Sequence, residues 1–234
     1  MTTDNDFFEL MTREEPLHPD LQPFVTKSSG FGTSDLNSVP MLHHKWIIEL
    51  FLDEKHCARI NQRYLWLKEE VQKALETQNF HQYVFWHERP YRLDAYLEIE
   101  DALLEGSKQQ AELFRAIWTD SENIWQHKET WEEFWTSINR EAIMTDEEHE
   151  AFAKLPDPLT IYRGINNRAA KNGLSWTPDR EKAIWFAKRF PGSVKMLLTG
   201  KVAKNNVLAY LEDRETEIVV DPENIDEIEE TLLK

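Results

Sequence analysis

Pro156-Asp157-Pro158 divides this chain, and the residues on its two sides follow different periods. Each proline lacks an N–H and biases its predecessor toward extended backbone, so no helix runs through the pair. Before the break, apolar residues recur at helical spacing. Trp131, Phe134, Trp135 and Ile138 stand at i, i+3, i+4 and i+7, and Leu113, Phe114, Ile117 and Trp118 form a second stripe. After it come short β-branched and aromatic runs closed by turn residues, beginning with Leu159-Thr160-Ile161-Tyr162 and its stop at Gly164. The expected fold class is α+β, a helical N-terminal part packed on a small split two-sheet core. Composition sets the boundaries: a flexible acidic and polar arm over 1–37, a helical module over 38–155 and the β-rich core over 156–234.

In the helical module, Ser38 is expected to cap a helix starting near Pro40, with Trp46, Ile47, Leu50 and Phe51 on one side. His43-His44 would then lie on helix surface. Further helices are expected over about 58–76, 92–104 and 107–126, and Thr145-x-x-Glu148 has the form of a capping box. In the core, Leu174–Thr177 is a second expected strand. Thr177 would also cap a helix with Pro178 at its first position and Ala183, Phe186, Ala187 and Phe190 inward. Val194–Val202, Val207–Leu211 and Ile218-Val219-Val220 have strand character, and residues 225–233 fit a strand or a short helix equally well.

Charge is distributed unevenly. The chain of 234 residues has a net charge of −16, which argues against non-specific nucleic-acid binding by the whole molecule. Residues 155–204, however, carry ten Lys and Arg against three Asp and Glu. That basic segment suits an anionic ligand. A single cysteine, Cys57, leaves no intrachain disulfide and fits a reducing compartment. The acidic start Met1-Thr2-Thr3-Asp4 is unlike a signal peptide, and no apolar run approaches the ~18 residues of a membrane span. The expectation is a cytoplasmic protein, in its own cell or a host's.

Three polar groups stand on or beside the strands of the core. Arg163 ends the first, with Tyr162 before it and Gly164 behind, where a backbone could approach a ligand closely. Ser175 and Thr177 alternate with Leu174 and Trp176, so both hydroxyls face one way. Glu215 and Glu217 lie where an acidic loop enters Ile218-Val219-Val220. All eight histidines fall at or before His149, so residues 155–234 cannot hold a Ser-His-Asp triad of their own. No Cys/His/Asp cluster has metal-ligand spacing, and no metal is expected.

In this order and strand context, Tyr162-Arg163, Ser175-x-Thr177 and Glu215-x-Glu217 resemble the motifs of the arginine–serine–glutamate class of mono-ADP-ribosyltransferases. The resemblance covers about the last third of the chain. It implies an NAD⁺-binding catalytic core over 156–234 that cleaves NAD⁺ and transfers ADP-ribose to a macromolecule, releasing nicotinamide. It further implies that Arg163, with Tyr162, Gly164, Ser175 and Thr177, binds the dinucleotide, and that Ser175 orients Glu217. Glu217 would stabilise the oxocarbenium-like transition state, and Glu215 would activate the acceptor. Glu-x-Glu marks arginine-directed members, so protein arginine is the expected acceptor, with an RNA base as the alternative. The related histidine–tyrosine–glutamate class is disfavoured by the missing histidine. The contexts implied are a toxin or effector, or a phage-related modifier, with an antitoxin or regulatory partner on the acidic helical part. A non-catalytic interaction protein with a degenerate transferase fold is the rival from another class.

Overall fold

A computed structural model describes residues 13–27, 40–50, 54–122, 124–213 and 215–234. The chain divides into two compact units, residues 1–103 with 120–122, and residues 104–119 with 123–234. The division falls inside the segment expected as one helical module over 38–155. Beyond residue 104 the two aromatic stripes pack on each other, Phe114 and Trp118 each meeting Trp131 and Trp135 at 5.0–5.5 Å between ring centroids.

In the first unit, β1 (Val25–Lys27), β2 (Pro40–His44) and β3 (Ile47–Leu50) form an antiparallel sheet in that order. The helix expected from Pro40 is therefore a hairpin. Leu42 and His44 alternate inward at the period of a strand, and His44 pairs with Ile47 across the turn at Lys45-Trp46. Ser38 and Phe51 lie outside the described residues. His44 is buried rather than on a surface, ringed by Phe24, Trp46 and Tyr64 at 4.8, 5.1 and 5.4 Å between centroids. Burial holds its imidazole down at about 4, so it is neutral at physiological pH. Three helices follow: α1 (Glu54–Glu76), α2 (Phe80–Phe85) and α3 (Arg92–Ile99).

Part of the expected arm belongs to this core. Leu17 and Leu21 are buried with Leu42, Ile47, Ile60 and Tyr64. Asn61 on α1 accepts from His18 N at 2.7 Å and donates to Pro16 O at 2.9 Å, which ties residues 16–18 to the helix. The rest of the arm, residues 1–12 and 28–37, lies outside the described residues.

The second unit opens with α4 (Lys108–Asp120, within this unit to Thr119), α5 (Lys128–Ser137), α6 (Arg140–Ile143) and α7 (Asp146–Ala153). The capping box at Thr145 and Glu148 is formed. Next come β4 (Leu159–Ile165), β5 (Ser175–Trp176), α8 (Arg180–Arg189), β6 (Met196–Val202), β7 (Val207–Glu212), β8 (Thr216–Val220) and β9 (Asp226–Leu232). They make two antiparallel sheets, β4-β6-β9 and β5-β8-β7. One bridge joins them: Tyr162 N donates to Thr177 O at 2.8 Å, and Thr177 N to Tyr162 O at 2.9 Å. Leu159, Ile161, Trp176, Leu198, Tyr210 and Ile218 fill the space the sheets share. The molecule is α+β, and residues 226–232 settle as a strand, with Glu227 at φ 53° where the register to β6 slips by one.

The cap of α8 is Asp179, not Thr177. Its carboxylate accepts from Glu181 N at 2.9 Å and Lys182 N at 3.1 Å, satisfying two open donors of the first turn, and Pro178 stays outside. Thr177 Oγ1 instead accepts from Asp179 N at 3.1 Å. The inward face of α8 also differs from expectation. Ala183 and Ala187 are buried, Phe186 is half-buried and Phe190 is exposed. Gly164 is the reason: a Cβ there would lie 1.7 Å from Ala183 O, so helix and strand backbones meet too closely for larger side chains between them.

Candidate functional site

Strand β4 carries Arg163 to the junction of the two sheets, where its guanidinium turns toward β5. Nε–H donates to Ala170 O at 3.1 Å, and Nη1 donates to Ser175 O at close range. Gly173 makes that path possible, because a Cβ on it would come within 2.1 Å of Arg163 Nη2. Burial pushes the guanidinium down to about 10, opposed by the charge of Glu217, and it remains a cation at neutral pH.

Glu217 stands on β8 opposite Leu211, one pleat from Val219, whose partner on β5 is Ser175. Ser175 and Glu217 thus share a face as diagonal cross-strand neighbours. The Ser175 hydroxyl hydrogen-bonds the Glu217 carboxylate, and Trp118 Nε1–H on α4 donates to its Oε2 at 3.2 Å. The carboxyl is held above its ordinary value, first by burial and then by the charge of Glu215. The bonds from Ser175 and Trp118 and the charge of Arg163 pull the other way. A carboxylate so placed is costlier to ionise than one in water.

Glu215 lies at the end of the β7–β8 loop, half-buried, with Oε2 3.2 Å from Lys182 Nζ on α8. The other side of that loop is held from α4. Arg115 forms a two-pronged pair with Glu148 at 2.6 and 2.7 Å and reaches Asp213 at 3.0 Å, while Thr119 Oγ1 donates to Asp213 at 3.1 Å. Glu148 also accepts from Glu212 N at 2.6 Å. Arg115, Trp118 and Thr119, spaced i, i+3 and i+4, therefore place three donors from one helix face on the loop and on Glu217.

Of the residues singled out in the sequence, Arg163, Ser175 and Glu217 come together, and Glu215 stands at their rim. Tyr162 contributes the main-chain bridge to β5, Thr177 the other half of that bridge, and Gly164 the seat for α8. The space above Gly164 is thus filled by the helix. Sequence reasoning missed Trp118, Arg115, Gly173 and Lys182. By spacing Trp118 belongs to a core stripe, and it is indeed buried among Trp131 and Trp135. The available signal was its indole N–H, which in a buried tryptophan needs an acceptor. A separate cleft of about 360 Å³, lined by Lys128, Asn172, Leu174, Leu208 and Asp221 among others, contains none of the clustered residues. Among the described residues no three His, Cys, Asp or Glu side chains gather as a metal site would require, and no helix is long and apolar enough to cross a membrane.

No protein-family model matches the chain, and neither the curated proteins nor the solved structures contain a significant match to it. The functional reading rests on the residues and their geometry.

Proposed function

We propose that the protein is a mono-ADP-ribosyltransferase with an ADP-ribosyltransferase-like core, moving ADP-ribose from NAD⁺ to a protein arginine. The observation that carries this reading is the Glu217 carboxylate, bonded by Ser175 and Trp118 and within electrostatic reach of the Arg163 cation. A half-buried carboxylate beside a fixed cation fits a substrate with a pyrophosphate at one end and a sugar that turns cationic at the other.

In the reaction, the bond from ribose C1′ to nicotinamide nitrogen breaks. Its electron pair leaves with nicotinamide, and positive charge develops on the sugar. Glu217 stabilises that charge as it forms, the task in which prepositioned electrostatics contribute most. Arg163 directs its remaining donors to the pyrophosphate. An acceptor guanidinium nitrogen then attacks C1′, and Glu215, held by Lys182, takes the proton it loses. The products are nicotinamide and ADP-ribosyl-arginine.

The test incubates wild type and Glu217→Gln with NAD⁺ labelled in its adenylate, in cell lysate. Nicotinamide release and label in the protein and nucleic-acid fractions are followed. Wild type should release nicotinamide and label protein. Glu217→Gln should keep its circular dichroism spectrum and lose about 10³-fold or more in rate. Full turnover by that variant overturns the assignment, and label in RNA would overturn the arginine acceptor.

A further inference from the structure

Helix α8 is built the wrong way round for a core helix. Its small residues Ala183 and Ala187 face the sheet, and its large ones face water: Trp185 is 49 % and Phe190 56 % exposed. The close seat over Gly164 explains why alanines are inside. It does not explain tryptophan and phenylalanine outside, since any polar residue would serve a solvated face. Exposed large aromatics gathered on one face are the informative departure from ordinary surface composition.

The exposed stripe is ordered. Lys182, Trp185, Phe186 and Arg189 stand at i, i+3, i+4 and i+7, one face of the helix. Lys182 Nζ lies 5.1 Å from the Trp185 ring centre and Arg189 lies 5.0 Å from it, so a cation borders the ring at each end. Arg189 also lies 4.7 Å from the Phe190 ring, and Lys188 adds a further positive charge beside it. In a molecule of net charge −16, this is a local cationic and aromatic surface. Tryptophan and arginine are also the side chains that most often anchor protein interfaces.

The stripe is continuous with the candidate site. Lys182, its first residue, is the ion-pair partner of Glu215 at 3.2 Å. A molecule lying along α8 therefore ends at the carboxylate that would receive the acceptor's proton. From this we infer that the outer face of α8 is the acceptor-docking surface, and that the acceptor is a protein whose target arginine sits among acidic residues. The inference rests on the transferase reading and supplies what that reading leaves open. The acidic surroundings meet Lys188 and Arg189, and an apolar side chain beside the arginine covers Trp185. An RNA acceptor is the less favoured occupant, because the rest of the molecule repels phosphates and Glu215-x-Glu217 is suited to a guanidinium.

The experiment uses the full-length protein, NAD⁺ and three defined acceptors: agmatine, a peptide with one arginine flanked by aspartates, and the same peptide with alanines in their place. Agmatine reports the chemistry without docking. With wild type at low salt, kcat/KM for the acidic peptide should exceed that for the neutral one by about tenfold, mostly through KM, and the ratio should shrink as salt screens it. The charge reversal Lys188→Glu/Arg189→Glu should bring the ratio to one or below, and Trp185→Ala should raise KM for both peptides. If wild type turns over agmatine but handles the two peptides equally, the docking inference falls and the transferase reading stands. If neither agmatine nor water is ADP-ribosylated, both fall. Tight binding of a short labelled single-stranded RNA, released by the same charge reversal, would overturn the protein acceptor.

Discussion

Strands β8 and β9 are both acidic, and the protein uses their carboxylates in opposite ways. On β9 every residue is exposed, and two of its three glutamates pair directly with lysines, Glu230 with Lys171 and Glu227 with Lys201. Such charges keep an edge strand soluble and unattractive to other edges. On β8 the one glutamate inside the strand, Glu217, has no lysine. Its partners are a hydroxyl and an indole N–H, with the half-buried Arg163 guanidinium nearby. The ion pair with Lys171 holds Glu230 below its ordinary value, whereas burial holds Glu217 above its own. A carboxylate answered by solvent and a mobile cation is a surface device. One answered by fixed dipoles in a partly desolvated place is a candidate for chemistry.

The largest effect should come from breaking what holds the β8 loop in place. Arg115 and Glu148 are almost buried, with side chains 15 % and 4 % exposed, and Arg115 also carries Asp213. Arg115→Met leaves the Glu148 charge buried without its partner, which should destabilise the fold by about 3–5 kcal/mol in urea melts. The double variant Arg115→Met/Glu148→Met should recover a large part of that loss, because an apolar pair no longer has to be desolvated as ions. If the single substitution costs no more than an exposed ion pair, about 0–1 kcal/mol, the loop is not anchored as described.

A smaller change tests the indole bond to Glu217. Trp118→Phe keeps an aromatic ring against Trp131 and Trp135 and deletes the N–H. Since that bond lowers the Glu217 pKa, its loss should move the pKa further upward. The proposed transferase needs the ionised form, so activity fails as pH falls through this pKa. The acid limb of the pH–kcat/KM profile should therefore lie at higher pH in Trp118→Phe, with a rate loss of about tenfold near neutrality. A profile that keeps its midpoint while the whole curve drops would mean that Trp118 only packs.

These residues also mark what a sequence can disclose. Arg163, Ser175 and Glu217 were legible because each sits in or beside a short β-branched run, where a polar residue needs a reason. The strands themselves were legible for the same cause, as was the capping box at Thr145, whose signal is local. The hairpin over 40–50 was not, because Trp46-Ile47-Ile48 with Leu50 and Leu42 satisfies a helical stripe as well as an alternating one. Only its pairing partners decide between them. Likewise, Trp118 lies 99 residues from Glu217 and Arg115 lies 98 from Asp213. Contacts at such separation leave no periodic trace. The orientation of α8 turned on Gly164, whose lack of a side chain suits a turn, a ligand or a helix seat equally well until the helix is placed.

The smallest and sharpest prediction sets the two acidic strands against each other. Glu217→Gln and Glu230→Gln each remove one ionisable carboxyl and little volume, so melting temperature as a function of pH compares the sites directly. For Glu217, whose folded pKa is raised, the stabilising state is the protonated one. That contribution is complete below the ordinary value of 4.5 and is lost as pH rises through the raised value. Wild type therefore loses this stability as pH rises and Glu217→Gln does not, so the melting temperature of the variant should gain on that of wild type with rising pH, and the gain should vanish below about pH 4. For Glu230, whose folded pKa is lowered, the contribution is present above the ordinary value and lost as pH falls. Its substitution should lower the melting temperature slightly at pH 7, and added salt should erase the difference, because the pair is exposed. Opposite trends with pH follow from desolvation on one strand and a solvated ion pair on the other. If both variants fall further below wild type as pH rises, Glu217 is a structural ion held by its partners, and the distinction between the two strands is lost.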